Sequence, residues 1–157
     1  MIVTTDFEAL YAYKRGDYQR CLWLSTQNVH TLYAHGKIWM ADVSTFPEFI
    51  QLMDDDIVSL TALTLIVNPA CRLHSCNICI NQLTLSLYLM TQCQLKLRHS
   101  VTSLAQTLAY IEVERRRCSV ERTLDHLLLK LTERKLVVYL SNIVCVNQSV
   151  LLRMLTF

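Results

Sequence analysis

The sequence predicts an all-α protein, in which antiparallel helix hairpins stack as a short α-solenoid of six to seven helices. Three observations carry that expectation. Only two glycines and two prolines occur in 157 residues (Gly16, Gly36, Pro47 and Pro69), whereas an all-β domain needs turn residues roughly every 8–12 positions. Apolar side chains recur at three- and four-residue steps, the repeat of a helix face. Capping residues and breakers fall between those stretches rather than inside them.

The elements follow in chain order. Residues 6–13 read as a short helix that stops before Gly16, and Asp17 caps a second helix running toward His35. Within it Tyr18, Cys21, Leu22, Ser25, Val29 and Leu32 share one face, and Gly36 ends it. Beyond Pro47, the carboxylates of Asp54, Asp55 and Asp56 open an apolar run over residues 57–67 that Asn68 and Pro69 close. Residues 83–89 alternate leucine with other residues as a strand would. The 18 residues of 80–97, free of glycine and proline, are too long for a typical strand and suit a helix buried on all sides.

From Ser100, a good cap, Val101, Leu104, Ala105, Leu108 and Ile111 mark an amphipathic helix ending at Arg115, Arg116 and Arg117. Ser119 caps another, with Val120, Leu124, Leu127, Leu128 and Leu131 as its apolar stripe. Residues 1–140 thus form one domain, and 141–157 form an apolar tail or final helix.

Composition narrows the function. Hydrophobic residues reach 52% and charged residues only 18%, against about 25% charged in an average soluble domain. So few charges predict an exposed apolar patch, and with it a protein partner or self-association. A net charge of +2 with interspersed signs offers no basic field for nucleic acid. Residues 1–8 lack the features of a secretory signal, and seven scattered cysteines do not form a disulfide framework; a cytoplasmic protein with free thiols is the expectation. The tail is the most membrane-like stretch, yet Asn142, Asn147, Gln148 and Arg153 interrupt it and argue against a spanning helix.

Residues 9–22 (ALYAYKRGDYQRCL) resemble the centre of a tetratricopeptide repeat. Gly16 permits the turn between two antiparallel helices, Asp17 caps the second, Tyr18 packs back across the hairpin, and the small residues Ala9 and Cys21 allow close approach. Thr5, Asn28 and Tyr33 stand where the family has tryptophan, alanine and proline. A second, degenerate unit ends at Pro69: Ile57 takes the role of Cys21 at a distance of 36 residues, against a family period of about 34. The resemblance implies a right-handed stack whose first helices line a groove for a partner's peptide or helix. Tyr11 and Tyr13 fall on the groove side and are the expected partner contacts.

Other constellations point to less. Cys71, His74, Cys76 and Cys79 lie within nine residues and raise the alternative of a closed helical bundle holding zinc or another ligand. A tetrahedral site usually draws two ligands from each of two segments, so half-buried thiols explain the cluster as well. Cys76 and Cys79 have redox-pair spacing without the strand–helix–strand setting that chemistry uses. The arginines at 115–117 stand at a helix end, where positive charge is favoured in any case. No phosphate-cradling glycine loop or nucleophile motif is present, and no two residues take complementary catalytic roles. The sequence therefore predicts no enzyme and no cofactor, but a scaffold or adaptor module that binds another protein.

Overall fold

A computed structural model describes residues 2–35, 40–42, 54–69, 79–118 and 123–155. The described residues are predominantly helical, in keeping with the all-α expectation. Among the described residues six helices run in the order α1 (Ile2–Lys14), α2 (Tyr18–His35), α3 (Asp55–Val67), α4 (Gln82–Lys96), α5 (Val101–Arg117) and α6 (Thr123–Leu155).

The first hairpin is built as its sequence requires. Gly16 sits at φ 79°, its N–H donates to Tyr13 O at 3.0 Å, and the Asp17 N–H donates to Ala12 O at 2.9 Å. These are the paired bonds of a Schellman stop, for which glycine has no Cβ penalty. The Asp17 carboxylate then accepts from Arg20 N at 3.1 Å, capping α2. Ala9, Leu10, Cys21, Leu24 and Val29 are buried in the core.

Asp54 caps α3 through the Asp56 N–H, and Asp55 and Asp56 occupy the first turn, where carboxylates meet the positive end of the helix dipole. Asn81 caps α4 through the Leu83 N–H at 2.9 Å. The alternating leucines resolve as a helix: residues 82–91, 93 and 94 are all buried. Helix α4 is the centre of the fold, with α1, α2, α5 and α6 packed around it, while α3 lies against α6. Its circumference has no solvent side, which is why its apolar pattern shows no helical period.

Ser100 caps α5 as predicted, accepting from Ser103 N at 3.3 Å. The buried face of α5 is rotated from the expected stripe: Val101 and Ala105 are exposed, and Leu104, Thr107, Ile111 and Glu114 face the core. Polar members are tolerated there because they are bonded. Thr107 Oγ1 donates to Gln94 Oε1 at 2.9 Å, and Glu114 Oε1 accepts from Asn81 Nδ2 at 3.3 Å.

In α6 the inward stripe is Leu124, Asp125, Leu128, Leu129, Thr132 and Leu136, with Leu127 and Leu131 half-buried. Ser119 and Val120, read as its start, lie outside the described residues, as do Gly36 and Pro47. The helix continues without a break through residue 140 to Leu155, so residues 141–155 of the tail are its last turns. One feature had no sequence signal. Residues 40–42 and 79–81 form a three-residue antiparallel ladder, with Ala41 opposite Ile80, too short to show a strand period.

Candidate protein-binding surface

The turn between α1 and α2 leaves a cleft beside it. Glu8, Tyr11, Ala12, Arg15, Asp17 and Arg20 line a volume of about 430 Å³. Tyr11 and Arg15 are one helical turn apart, so they meet on the same face. The Arg15 guanidinium lies 5.4 Å from the centre of the Tyr11 ring, within cation–π range, and Nη1 donates to Tyr11 Oη at 3.4 Å. Tyr11 is nevertheless 53% exposed. The pair is an aromatic plate held by a cation with its outer side open, and Glu8, Asp17 and Arg20 add charges of both signs around it.

Tyr13, two residues on, faces the interior. Its ring packs edge-on against Tyr18 at 5.7 Å, and its hydroxyl donates to Asp54 Oδ2 at 3.3 Å. That carboxylate oxygen also accepts from Tyr88 Oη at 2.7 Å and from Gln92 Nε2 at 3.2 Å. Lys135 pairs with the neighbouring Asp56 carboxylate and stands over the Tyr88 ring at 5.6 Å. One polar knot therefore joins α1, α3, α4 and α6. Burial pushes the Asp54 carboxyl up, and the donors of Tyr88, Asp56, Gln92 and Tyr13 more than reverse it, leaving its pKa below the ordinary value. Burial and the bond to Asp54 push both Tyr88 and Tyr13 well above the ordinary phenol range.

Two further polar groups sit inside the fold. Asp6 accepts from Asn28 Nδ2 at 3.0 Å, and burial, opposed by a hydrogen bond from Gln82, pushes its pKa up to about 7. Cys21 and Cys93, on α2 and α4, are fully buried free thiols that share a hydrogen bond. That bond and burial push the Cys93 thiol up, and the same bond holds Cys21 down.

Large apolar side chains also remain uncovered among the described residues. Trp23 on α2 is 62% exposed; Ile66 and Val67 on α3, and Val137, Val138, Val144 and Val146 on α6, are exposed as well. Beside α6, Leu95, Leu131, Arg134, Lys135, Val138, Tyr139 and Asn142 line a shallow, mostly apolar depression of about 390 Å³. Of the two tyrosines expected to contact a partner, Tyr11 is exposed and Tyr13 is turned toward Asp54 and Tyr18; the α6 surface was not expected. The low charge content signalled that such a surface exists without placing it.

Of the suggested ligand cluster, Cys71, His74 and Cys76 lie outside the described residues, and Cys79 is described by its backbone alone. Among the described residues no group of three or more His, Cys, Asp or Glu side chains could hold a metal ion, and no helix is long and apolar enough to cross a membrane. No family model, curated protein or solved structure matches the chain.

Proposed function

We propose that this chain is a non-catalytic, cytoplasmic protein-interaction module, which receives a segment of another protein at the cleft beside its first, tetratricopeptide-like hairpin. The observation that carries this reading is the Tyr11–Arg15 pair, stacked at 5.4 Å yet half open to solvent. Tyrosine and arginine dominate binding hot spots, because each offers large contact area together with hydrogen bonds. Here the guanidinium holds the ring in place before any partner arrives, which reduces the ordering cost of binding. Tyr11 is the contact residue in this reading. Tyr13 positions the hairpin that presents it, through Asp54 and Tyr18.

Arg15 and Arg20 beside Glu8 and Asp17 favour a polar segment that brings a carboxylate or backbone carbonyls to the arginines. The test is quantitative affinity capture from the cells that make the protein, comparing wild type with Tyr11→Ala and Arg15→Ala. Circular dichroism melts serve to confirm that both variants fold. The reading requires a recovered protein whose yield falls at least about tenfold in Tyr11→Ala. Equal recovery by wild type and both variants contradicts it.

A further inference from the structure

Among the described elements, α2 and the central helix α4 share the most extensive contact, and a cysteine stands on each side of it. Cys21 and Cys93 are both fully buried free thiols. Although they come from distant parts of the sequence, Cys93 is hydrogen-bonded to Cys21, so the two sulfurs are neighbours. Cys21 Sγ also lies 3.9 Å from Ser25 Oγ and receives a bond from the Tyr13 backbone. The bonds from Cys93 and Ser25 hold the Cys21 pKa below the ordinary thiol value in spite of burial, whereas the shared bond and burial push Cys93 up.

A core cysteine commonly acts as a small apolar filler, a part that needs no second sulfur beside it. Two thiols are too few for a metal, since a structural zinc site takes about four ligands, and no group of three or more ligating side chains occurs among the described residues. We propose that Cys21 and Cys93 are a reversible cross-linking site, at which a peroxide converts the thiol pair into an intramolecular disulfide that ties α2 to α4. The inference stands on this buried pair and does not use the Tyr11 cleft.

The chemistry balances with hydrogen peroxide as oxidant. Cys21, the sulfur whose thiolate its neighbours favour, attacks one peroxide oxygen; the O–O bond breaks, water leaves, and Cys21 carries a sulfenic acid. Cys93 then attacks the Cys21 sulfur. The S–O bond breaks as the S–S bond forms, and the Cys93 proton departs with the hydroxide as a second water. Two thiols thus lose two hydrogens and two electrons, and the peroxide is reduced to two waters. Because the second thiol is already in place, this step outruns further oxidation of Cys21. The sulfurs of a disulfide stand about 2 Å apart, so the bond tightens a contact that α2 and α4 already make. Peroxide reaches the pair through transient opening of the core, which makes the reaction slower than oxidation of the exposed Cys145.

Exposure of the full chain to hydrogen peroxide in native buffer, with free thiols then blocked and chymotryptic peptides sequenced by tandem mass spectrometry, tests the proposal. Cleavage after Tyr88 separates Cys93 from Cys76 and Cys79. The expected product is a single chain with a peptide linking Cys21 to Cys93, an unchanged far-ultraviolet circular dichroism spectrum, and a Tm about 5–10 °C above that of the same sample after dithiothreitol, because the bond closes a long loop. Cys93→Ala loses both the linked peptide and the dithiothreitol-sensitive part of the melt; the wild-type comparison before and after dithiothreitol carries the test by itself if that variant fails to fold. Absence of the linked peptide once Cys145 is fully oxidised overturns the inference and leaves the pair as core packing. A linked peptide in a chain that has lost its helical signal, or whose melt dithiothreitol leaves unchanged or raises, shows a bond made from the unfolded chain and overturns it too.

Discussion

The hydroxyl of Tyr88, in the middle of the enclosed helix α4, donates to the capping carboxylate of Asp54 at 2.7 Å across 34 residues of sequence. One group thereby performs two tasks. Asp54 starts α3 through its bond to the Asp56 N–H, and it anchors that start to α4 and, through Tyr13, to α1. The hairpin that presents Tyr11 is held at its end by this carboxylate.

Tyr88→Phe removes the shortest of these donors and leaves Asp54 part-buried with weaker compensation. The expected loss is about 1–3 kcal/mol of stability at pH 7, read from urea unfolding. Because the donors hold the Asp54 pKa below its ordinary value, the stabilisation exists above the ordinary carboxylate range and disappears as pH falls through the folded-state pKa. The gap between wild type and Asp54→Asn therefore narrows in acid. A gap independent of pH contradicts the assignment.

Asp6 has the opposite sign. With a folded pKa pushed up to about 7, its protonated form is the one the interior favours, so stability declines as pH rises from about 4 to about 7 and levels off above. Asp6→Asn keeps an acceptor for Asn28 and removes the charge. The variant should gain roughly 1–3 kcal/mol over wild type at pH 8 and little at pH 4, measured by denaturant titration at both values. A variant less stable than wild type at pH 8 refutes the account of this site.

Arg98 ends α4 in the left-handed region, at φ 53°, with His99 N bonded to Gln94 O at 3.0 Å. This is the stop that Gly16 makes for α1, occupied by a residue that bears a Cβ. Arg98→Gly should stabilise the protein by about 0.5–1 kcal/mol, a rise of a few degrees in Tm. No gain would show that the exposed arginine makes compensating interactions.

The thiols should divide by accessibility. Cys145 is exposed, whereas Cys21 and Cys93 are buried. In native buffer iodoacetamide is expected to label Cys145 within minutes and to reach Cys21 and Cys93 at the rate of unfolding. Peptide mass mapping over a time course distinguishes them. Early labelling of Cys93 would contradict the packing of α2 on α4.

Much of the fold could be read from local chemistry. Gly16 with Asp17, Asp54 before its apolar run, and Ser100 before Val101 each mark a helix end by hydrogen bonds made within a few residues. Burial was harder to read where polar groups enter the core. Thr107 and Glu114 face inward because Gln94 and Asn81 meet them, partners 13 and 33 residues away, and no local pattern announces such pairs.

The site was half legible for the same reason. Tyr11 stands out as an aromatic beside a turn, but nothing near Tyr13 in sequence shows that Asp54 claims its hydroxyl. The α6 surface escaped because its exposure depends on where the neighbouring helices end, which no local pattern states.

The central claim, that the Tyr11 cleft holds another protein, is tested most directly by photo-cross-linking in the native cell. Benzoylphenylalanine is placed at position 11 and, as a control, at the exposed Glu112 of α5. The account predicts a discrete adduct with a second protein from position 11 that is absent from position 112. No adduct at position 11, or the same adducts from both positions, would contradict it.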